Sequence, residues 1–170
     1  ETEPEAPAGP DLFISEYIEG GGFNKAIELY NPTGESLDLS NYRIVLYTNG
    51  NNTATNTTVL SGSLSSGEVF VIYNTNSQTA EAIKSEGDLA DGVANFNGDD
   101  AIVLEKTTGG GTTWEAVDVF GIVGEDPGSE WVAVGGSTKD NTVVRKAGVT
   151  RGSTTWKPEE WEVYAKDEFS

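Results

Sequence analysis

The 170-residue chain contains no cysteine and no histidine. The first absence excludes disulfides, thiolate metal sites and cysteine nucleophiles. The second removes the usual general base and the commonest transition-metal ligand. Methionine is missing too, so the first residue is not an initiator. The chain is expected to be a processed or excised piece of a larger secreted protein, with any signal peptide already gone. Basic residues are scarce: 10 Lys and Arg stand against 28 Asp and Glu, a formal net charge of -18. A field of that sign repels phosphate backbones, which disfavours nucleic acid as a partner, and it suits an extracellular or cell-surface setting. No apolar run approaches the ~18 residues that span a bilayer, so membrane insertion is not expected. Alternating strand and helix patterns, the mark of a parallel sheet, are absent as well.

What remains is the composition of a globular β-protein. Hydrophobic residues make up 36%, with 21 Gly and 4 Trp, and the strand formers Val, Thr, Ile and Tyr recur. The first ten residues, ETEPEAPAGP, are rich in Pro and Glu and read as a semi-extended linker (1–10). Residues 11–170 read as one domain, long enough to bury a sizeable core.

The stretch from Asn24 to Tyr47 sets the pattern for that domain. Ile27 and Leu29 alternate with Glu28 and Tyr30, the period of a sheet with one buried face. Asn31-Pro32-Thr33-Gly34 breaks the strand, and Arg43 to Tyr47 starts the next. Leu12 to Glu19 is an earlier strand, with Phe13, Ser15 and Tyr17 expected on one side. Asn49 to Thr58 reads as an exposed loop, in which Asn51 and Asn56 begin N-x-T sequons. Glu68 to Tyr73 is the most strongly β segment, and Gln78 to Glu86 the one helix, with Ala82 and Ile83 inward. Later strands begin at Ala101, Ala116, Trp131 (to Val134), Thr142 and Trp161. About nine short strands separated by Gly, Pro and Asn turns predict an all-β antiparallel sandwich with one short helical insertion.

An ordered set of pieces carries a family resemblance. It comprises Ser15 to Gly20 (SEYIEG), Asn24 to Asn31 (NKAIELYN), Leu37 to Tyr42 (LDLSNY) and the Leu64 to Glu68 turn. It continues with Phe96 to Ala101 (FNGDDA), Asp126 to Trp131 (DPGSEW), Asp140 to Thr142 and Arg145-Lys146. Together they resemble the lamin tail domain in its bacterial form, from about Asp11 to the end. The resemblance implies an immunoglobulin-like sandwich and a non-catalytic accessory module, attached in bacteria to extracellular hydrolases and surface proteins. It implies no catalytic residues. Unlike the nuclear form, the chain carries no coiled-coil heptads, and its acidity speaks against a chromatin role.

Three groups of residues are candidates for a site. Asp88, Asp91, Asn95, Asn97, Asp99 and Asp100 crowd oxygen donors into one segment, as Ca²⁺ requires, although no EF-hand spacing is present; local turn hydrogen bonds are the alternative. Glu16, Glu28, Asp118 and Glu130 are acids of the kind a hydrolase pairs, Glu16 and Glu28 on neighbouring strands. The alternative for Glu28 is a structural ion pair with Arg145, or with Arg43 or Lys146. Lys139, Arg145, Lys146, Arg151 and Lys157, with Trp156, form the one basic stretch, suited to an anionic polymer or protein. The four Trp residues are expected in the core, with an exposed sugar platform as the alternative. No cofactor other than Ca²⁺ is suggested. The function expected is a non-catalytic interaction module of a secreted or surface-attached bacterial protein, contacting a protein, a polysaccharide or an adjacent domain of its own polypeptide. A carbohydrate- or Ca²⁺-dependent adhesion module and a small carboxylate-pair hydrolase are the alternatives.

Overall fold

The computed structural model describes residues 9–133 and 135–169. Of the expected linker, only Gly9 and Pro10 fall within them; Val134, expected at a strand end, lies outside. The chain runs through β1 (Phe13–Glu19), β2 (Lys25–Tyr30), β3 (Leu37–Asp38), β4 (Tyr42–Tyr47), β5 (Asn56–Val59), β6 (Ser63–Leu64) and β7 (Val69–Tyr73). Helix α1 (Glu81–Glu86) and β8 (Leu89–Ala90) follow, then β9 (Ala101–Thr107), β10 (Trp114–Phe120), β11 (Val132–Ala133), β12 (Gly136–Ser137), β13 (Thr142–Arg145) and β14 (Trp161–Tyr164).

Two sheets make the sandwich. One has six strands in the order β14-β13-β1-β2-β7-β8, the other four in the order β10-β9-β4-β5. Every pairing is antiparallel except β7 with β8. Nine of these strands have four or more residues; eight of them match expected strands, while β5 begins inside the expected loop and the expected strand from Trp131 is reduced to the two-residue β11. The last residues of the expected Asn49–Thr58 loop pair with β4 as β5.

The core fills the space between the sheets. Ile27 and Leu29 of β2 face Ile44 and Leu46 of β4 and Ile102 and Leu104 of β9, all buried. Each such side chain is worth about 1.5–3 kcal/mol once removed from water. At one end the packing is aromatic: Tyr17 stacks on Phe96 at 4.5 Å and on Phe120 at 4.1 Å, and Trp161 meets Phe120 edge-on at 5.0 Å. The Asn31-Pro32-Thr33-Gly34 turn is fixed by Asn31, fully buried, whose amide donates to the carbonyls of Glu35 and Leu64.

Two bulges decide where the polar side chains point. In β1, Ile14 pairs with Leu29 but Glu16 pairs with Glu28, so Ser15 is an extra residue. An extra residue reverses the alternation. Ile14 and Tyr17 therefore both enter the core, and Phe13, Ser15 and Tyr17 do not share a side as a regular strand would require. In β10 the register slips in the same way between Ala116 and Asp118.

Helix α1 is shorter than the expected Gln78–Glu86, and Ala82 is exposed rather than inward. Six residues make fewer than two turns, so one side chain, Ile83, does the packing. It joins Ile18 and Ala26 in a second small cluster on the outer face of the six-stranded sheet.

Candidate functional site

The strongest polar cluster ties the two sheets together. The bulge in β10 buries Asp118 completely, and Arg145 of β13 donates to it from Nη1 at 2.7 Å. Asp118 also accepts the amides of Ile14 at 2.9 Å and Ser153 at 3.0 Å. Arg145 gives a second hydrogen bond to the Ile14 carbonyl and binds Glu160 through Nε and Nη2, at 3.1 and 2.7 Å. Its guanidinium lies over the Trp161 ring, 4.8 Å from the centroid. Burial pushes the Asp118 carboxyl up, while the Arg145 charge and these hydrogen bonds pull it down.

The expected Glu28–Arg145 ion pair is therefore wrong, and register explains why. Glu16 pairs with Glu28 on one side and with Val144 on the other, so Val144 shares their face and Arg145, its neighbour, points the other way. Arg43 belongs to the other sheet and pairs with Glu105 directly opposite. Glu28 instead accepts a hydrogen bond from the Ser15 hydroxyl at 2.7 Å.

The acidic turns do not converge. Asp88 accepts the Val71 amide at 2.8 Å, and Asp91 caps the turn at Val93 (2.8 Å) while accepting from Thr58 (2.7 Å). Asp100 takes the amides of Asn49 at 3.0 Å and Asn97 at 2.7 Å, and the Asn97 carbonyl takes the Tyr17 hydroxyl. Among the described residues, no three carboxylates lie where they could share a metal ion. Asp88, Asp91, Asn97, Asp99 and Asp100 are thus not assembled as a Ca²⁺ cage. Most of their oxygens organise loops, the reading favoured by short polar side chains in turns. Gly98 belongs to the same device: a Cβ there would lie 2.6 Å from Lys139 Cα and 2.8 Å from a Glu19 oxygen. Trp131 closes it, its indole N–H donating to the Asp100 carbonyl at 2.9 Å.

The basic stretch is likewise divided. Arg145 is buried in the network just described and cannot reach a partner. Arg151 and Lys157 line one surface depression together with Glu160, which lies 3.7 Å from Lys157. Trp156 lines a neighbouring one. Lys139 and Lys146 line neither. None of the four Trp residues is exposed: Trp131 and Trp161 are buried, and Trp114 and Trp156 half-buried. An exposed row of Trp, which a sugar platform would use, is not formed.

The site that sequence reasoning half anticipated lies beneath α1. Because of the β1 bulge, Glu16 emerges on the outer face directly opposite Glu28. Directly paired residues on neighbouring strands hold their Cβ atoms ~5 Å apart. Val71 of β7 continues the row, and Ile18 and Ala26 form the next one. Helix α1 lies beside them, leaving a groove of about 180 Å³ that Ala82, Ile83 and Glu86 of the helix and Phe169 also line. Glu16 is only 3% exposed. Burial pushes the Glu28 carboxyl above its ordinary value, and the bond from Ser15 offsets this in part. Glu86 and Phe169 were not singled out in the sequence, since nothing local marks a residue brought in by the distant chain end. Asp118 and Glu130, the other two candidate acids, do not line this groove.

The model of the lamin tail domain family matches residues 5–123. The chain belongs to the lamin tail domain family. A comparison with curated proteins returns no match. The matched part of this lamin tail domain carries all three carboxylates of the groove, Glu16, Glu28 and Glu86, and β1 to β10. The Asp126–Trp131, Asp140–Thr142 and Arg145-Lys146 pieces lie beyond it, as do β13 and β14, which extend the six-stranded sheet past β1. This immunoglobulin-like sandwich is thus completed by strands outside the family match.

Proposed function

We propose that this lamin tail domain is a non-catalytic interaction module of a secreted or surface-attached bacterial protein, and that it docks a partner protein through the groove beneath α1. The observation that carries the reading is the groove itself, an apolar-walled depression between α1 and the outer face of the six-stranded sheet that Glu16, Glu28 and Glu86 also line. Asp118, Arg145, Glu160, Asp100, Asp91 and Asp88 lie elsewhere and hold strands and loops. The net charge of -18 agrees with an extracellular setting.

One observation favours a hydrolase: two facing carboxylates, one of them displaced upward, are what acid–base chemistry uses. The lining argues against it. Among the described residues, every polar side chain that lines it is a glutamate, so the lining supplies no amide, hydroxyl or guanidinium side chain to hold and orient a substrate.

The test is retention of the domain, fused to a fluorescent reporter, on the surface of the producing cells. Ala82 lines the groove and is exposed, so Ala82→Trp puts bulk there without disturbing the core. The reading expects the native domain to be retained and the variant released, at equal melting temperature. Equal retention of both would move the contact surface elsewhere, and release of both would remove the module reading.

A further inference from the structure

Residues 165–169 follow β14 without joining a sheet, among the described residues, yet their side chains are held at defined places. The Asp167 carboxylate accepts the Gly21 amide and the side-chain amide of Asn24, both at 2.9 Å. The turn between β1 and β2 is shaped for it, since a Cβ on Gly20 would collide with Asp167 Oδ1. Asn24 in turn accepts the amide of Ala80, at the start of α1, at 2.8 Å. Lys166 donates to Asp140 at 2.6 Å. Asp167 itself has a φ of 58°, in the left-handed region that residues other than glycine seldom enter. Two residues on, Phe169 packs on Ile18, Ala26 and Ile83 and lines the groove beneath α1.

These anchors lie at the surface. The hydrogen bonds of Asp167 are exposed, and the side chains of Lys166 and Asp140 are 47% and 51% exposed. The backbone of the segment adds a turn, the Glu168 amide on the Ala165 carbonyl at 3.2 Å, and no ladder among the described residues. Exposed pairs of this kind hold weakly, and a segment outside the sheets opens locally at far less cost than the sandwich unfolds. The ring it carries shows what the groove accepts, an aromatic side chain against the aliphatic surface of Ile18, Ala26 and Ile83. We infer that residues 165–169 are a latch that closes the groove in cis, and that the partner protein engages the groove by displacing Phe169 with an aromatic side chain of its own. This rests on the docking reading above and names how its site is filled and controlled. If the open state is populated at about 10% or less, the latch lowers the partner's apparent affinity about tenfold or more.

The test is an NMR titration of the isotope-labelled chain with Nα-acetyl-phenylalanine amide, and with Nα-acetyl-alanine amide as the control without a ring. Phe169→Ala vacates the place of the ring, and Asp167→Ala keeps the ring but frees its anchor. The phenylalanine probe is expected to shift the amides of Ile18, Ala26 and Ile83 saturably in Phe169→Ala, with an affinity about tenfold or more above that of the native chain. Asp167→Ala should fall between the two, and the alanine probe should not saturate with any of the three. Equal affinity of the phenylalanine probe for all three chains would overturn the latch and leave Phe169 a fixed wall. No saturable shift in Phe169→Ala, or one that the alanine probe matches, would overturn the aromatic occupant. The retention assay compares the native chain with Ala82→Trp and leaves the latch untouched, so it decides separately whether the docking reading stands.

Discussion

Removing the positive charge at position 145 is the perturbation whose cost follows most directly from the geometry. In Arg145→Met the aliphatic body of the side chain is kept, but Asp118, fully buried, loses its one ionic partner among the described residues and a 2.7 Å hydrogen bond. Glu160 loses two more donors. Breaking a buried pair from one side costs about 3–5 kcal/mol, because the remaining charge stays in a medium that does not solvate it. Against a total stability of about 5–15 kcal/mol, that is a large fraction. With a urea slope of about 2 kcal/mol per molar, the midpoint should fall by about 1.5–2.5 M. The pH dependence adds a second reading. Burial holds the Asp118 carboxyl above its ordinary value, so the folded state takes up its proton before the unfolded state does. Losing Arg145 enlarges that difference, and stability of the variant should drop as pH rises from the carboxylate range to neutrality. The deficit relative to the native chain is therefore smaller near pH 4 than at pH 7. A loss below about 1 kcal/mol at pH 7, with no change in pH slope, would refute the claim that this pair joins the sheets.

Three further outcomes are expected. Glu28→Gln should stabilise the free domain at neutral pH, since the raised carboxyl makes ionisation in the fold unfavourable and Gln keeps an acceptor for Ser15; the gain should vanish as pH falls below the unfolded-state value, and chemical denaturation at pH 3.5 and 7 checks both. Gly98→Ala places a Cβ 2.6 Å from Lys139 Cα and should cost about 1–3 kcal/mol, read as a fall in melting temperature of about 2–4 °C per kcal/mol. Adding Ca²⁺ or a chelator should leave the melting temperature unchanged, because the acidic turns use their oxygens on backbone amides; a rise of several degrees with Ca²⁺ would restore the cation site.

Much of the sandwich was legible because its longer strands carry a clear period and its turns carry Asn, Pro and Gly. Ile27 and Leu29 against Glu28 and Tyr30 gave β2 its buried face directly. β1 misled, because one inserted residue reverses every side chain beyond it. The signal was present: apolar residues fall at Phe13, Ile14, Tyr17 and Ile18, a set no single alternation accommodates. The same device in β10 turned Asp118 from a candidate hydrolase acid into the partner of Arg145. Which cation meets which carboxylate depends on strand order. Arg145 and Glu28 lie two strands apart in one sheet, on opposite faces, and no local pattern records that. Glu16 and Glu28 were recognisable as neighbours, but the helix beside them and Phe169, which also lines the groove, come from distant parts of the chain.

The central claim is that this lamin tail domain docks a partner protein through the groove beneath α1. Its most direct measurement is retention of the reporter-fused domain on the producing cells, the native chain against Ala82→Trp. The account predicts that the native domain is retained and the variant released at equal melting temperature. Equal retention of both would contradict it.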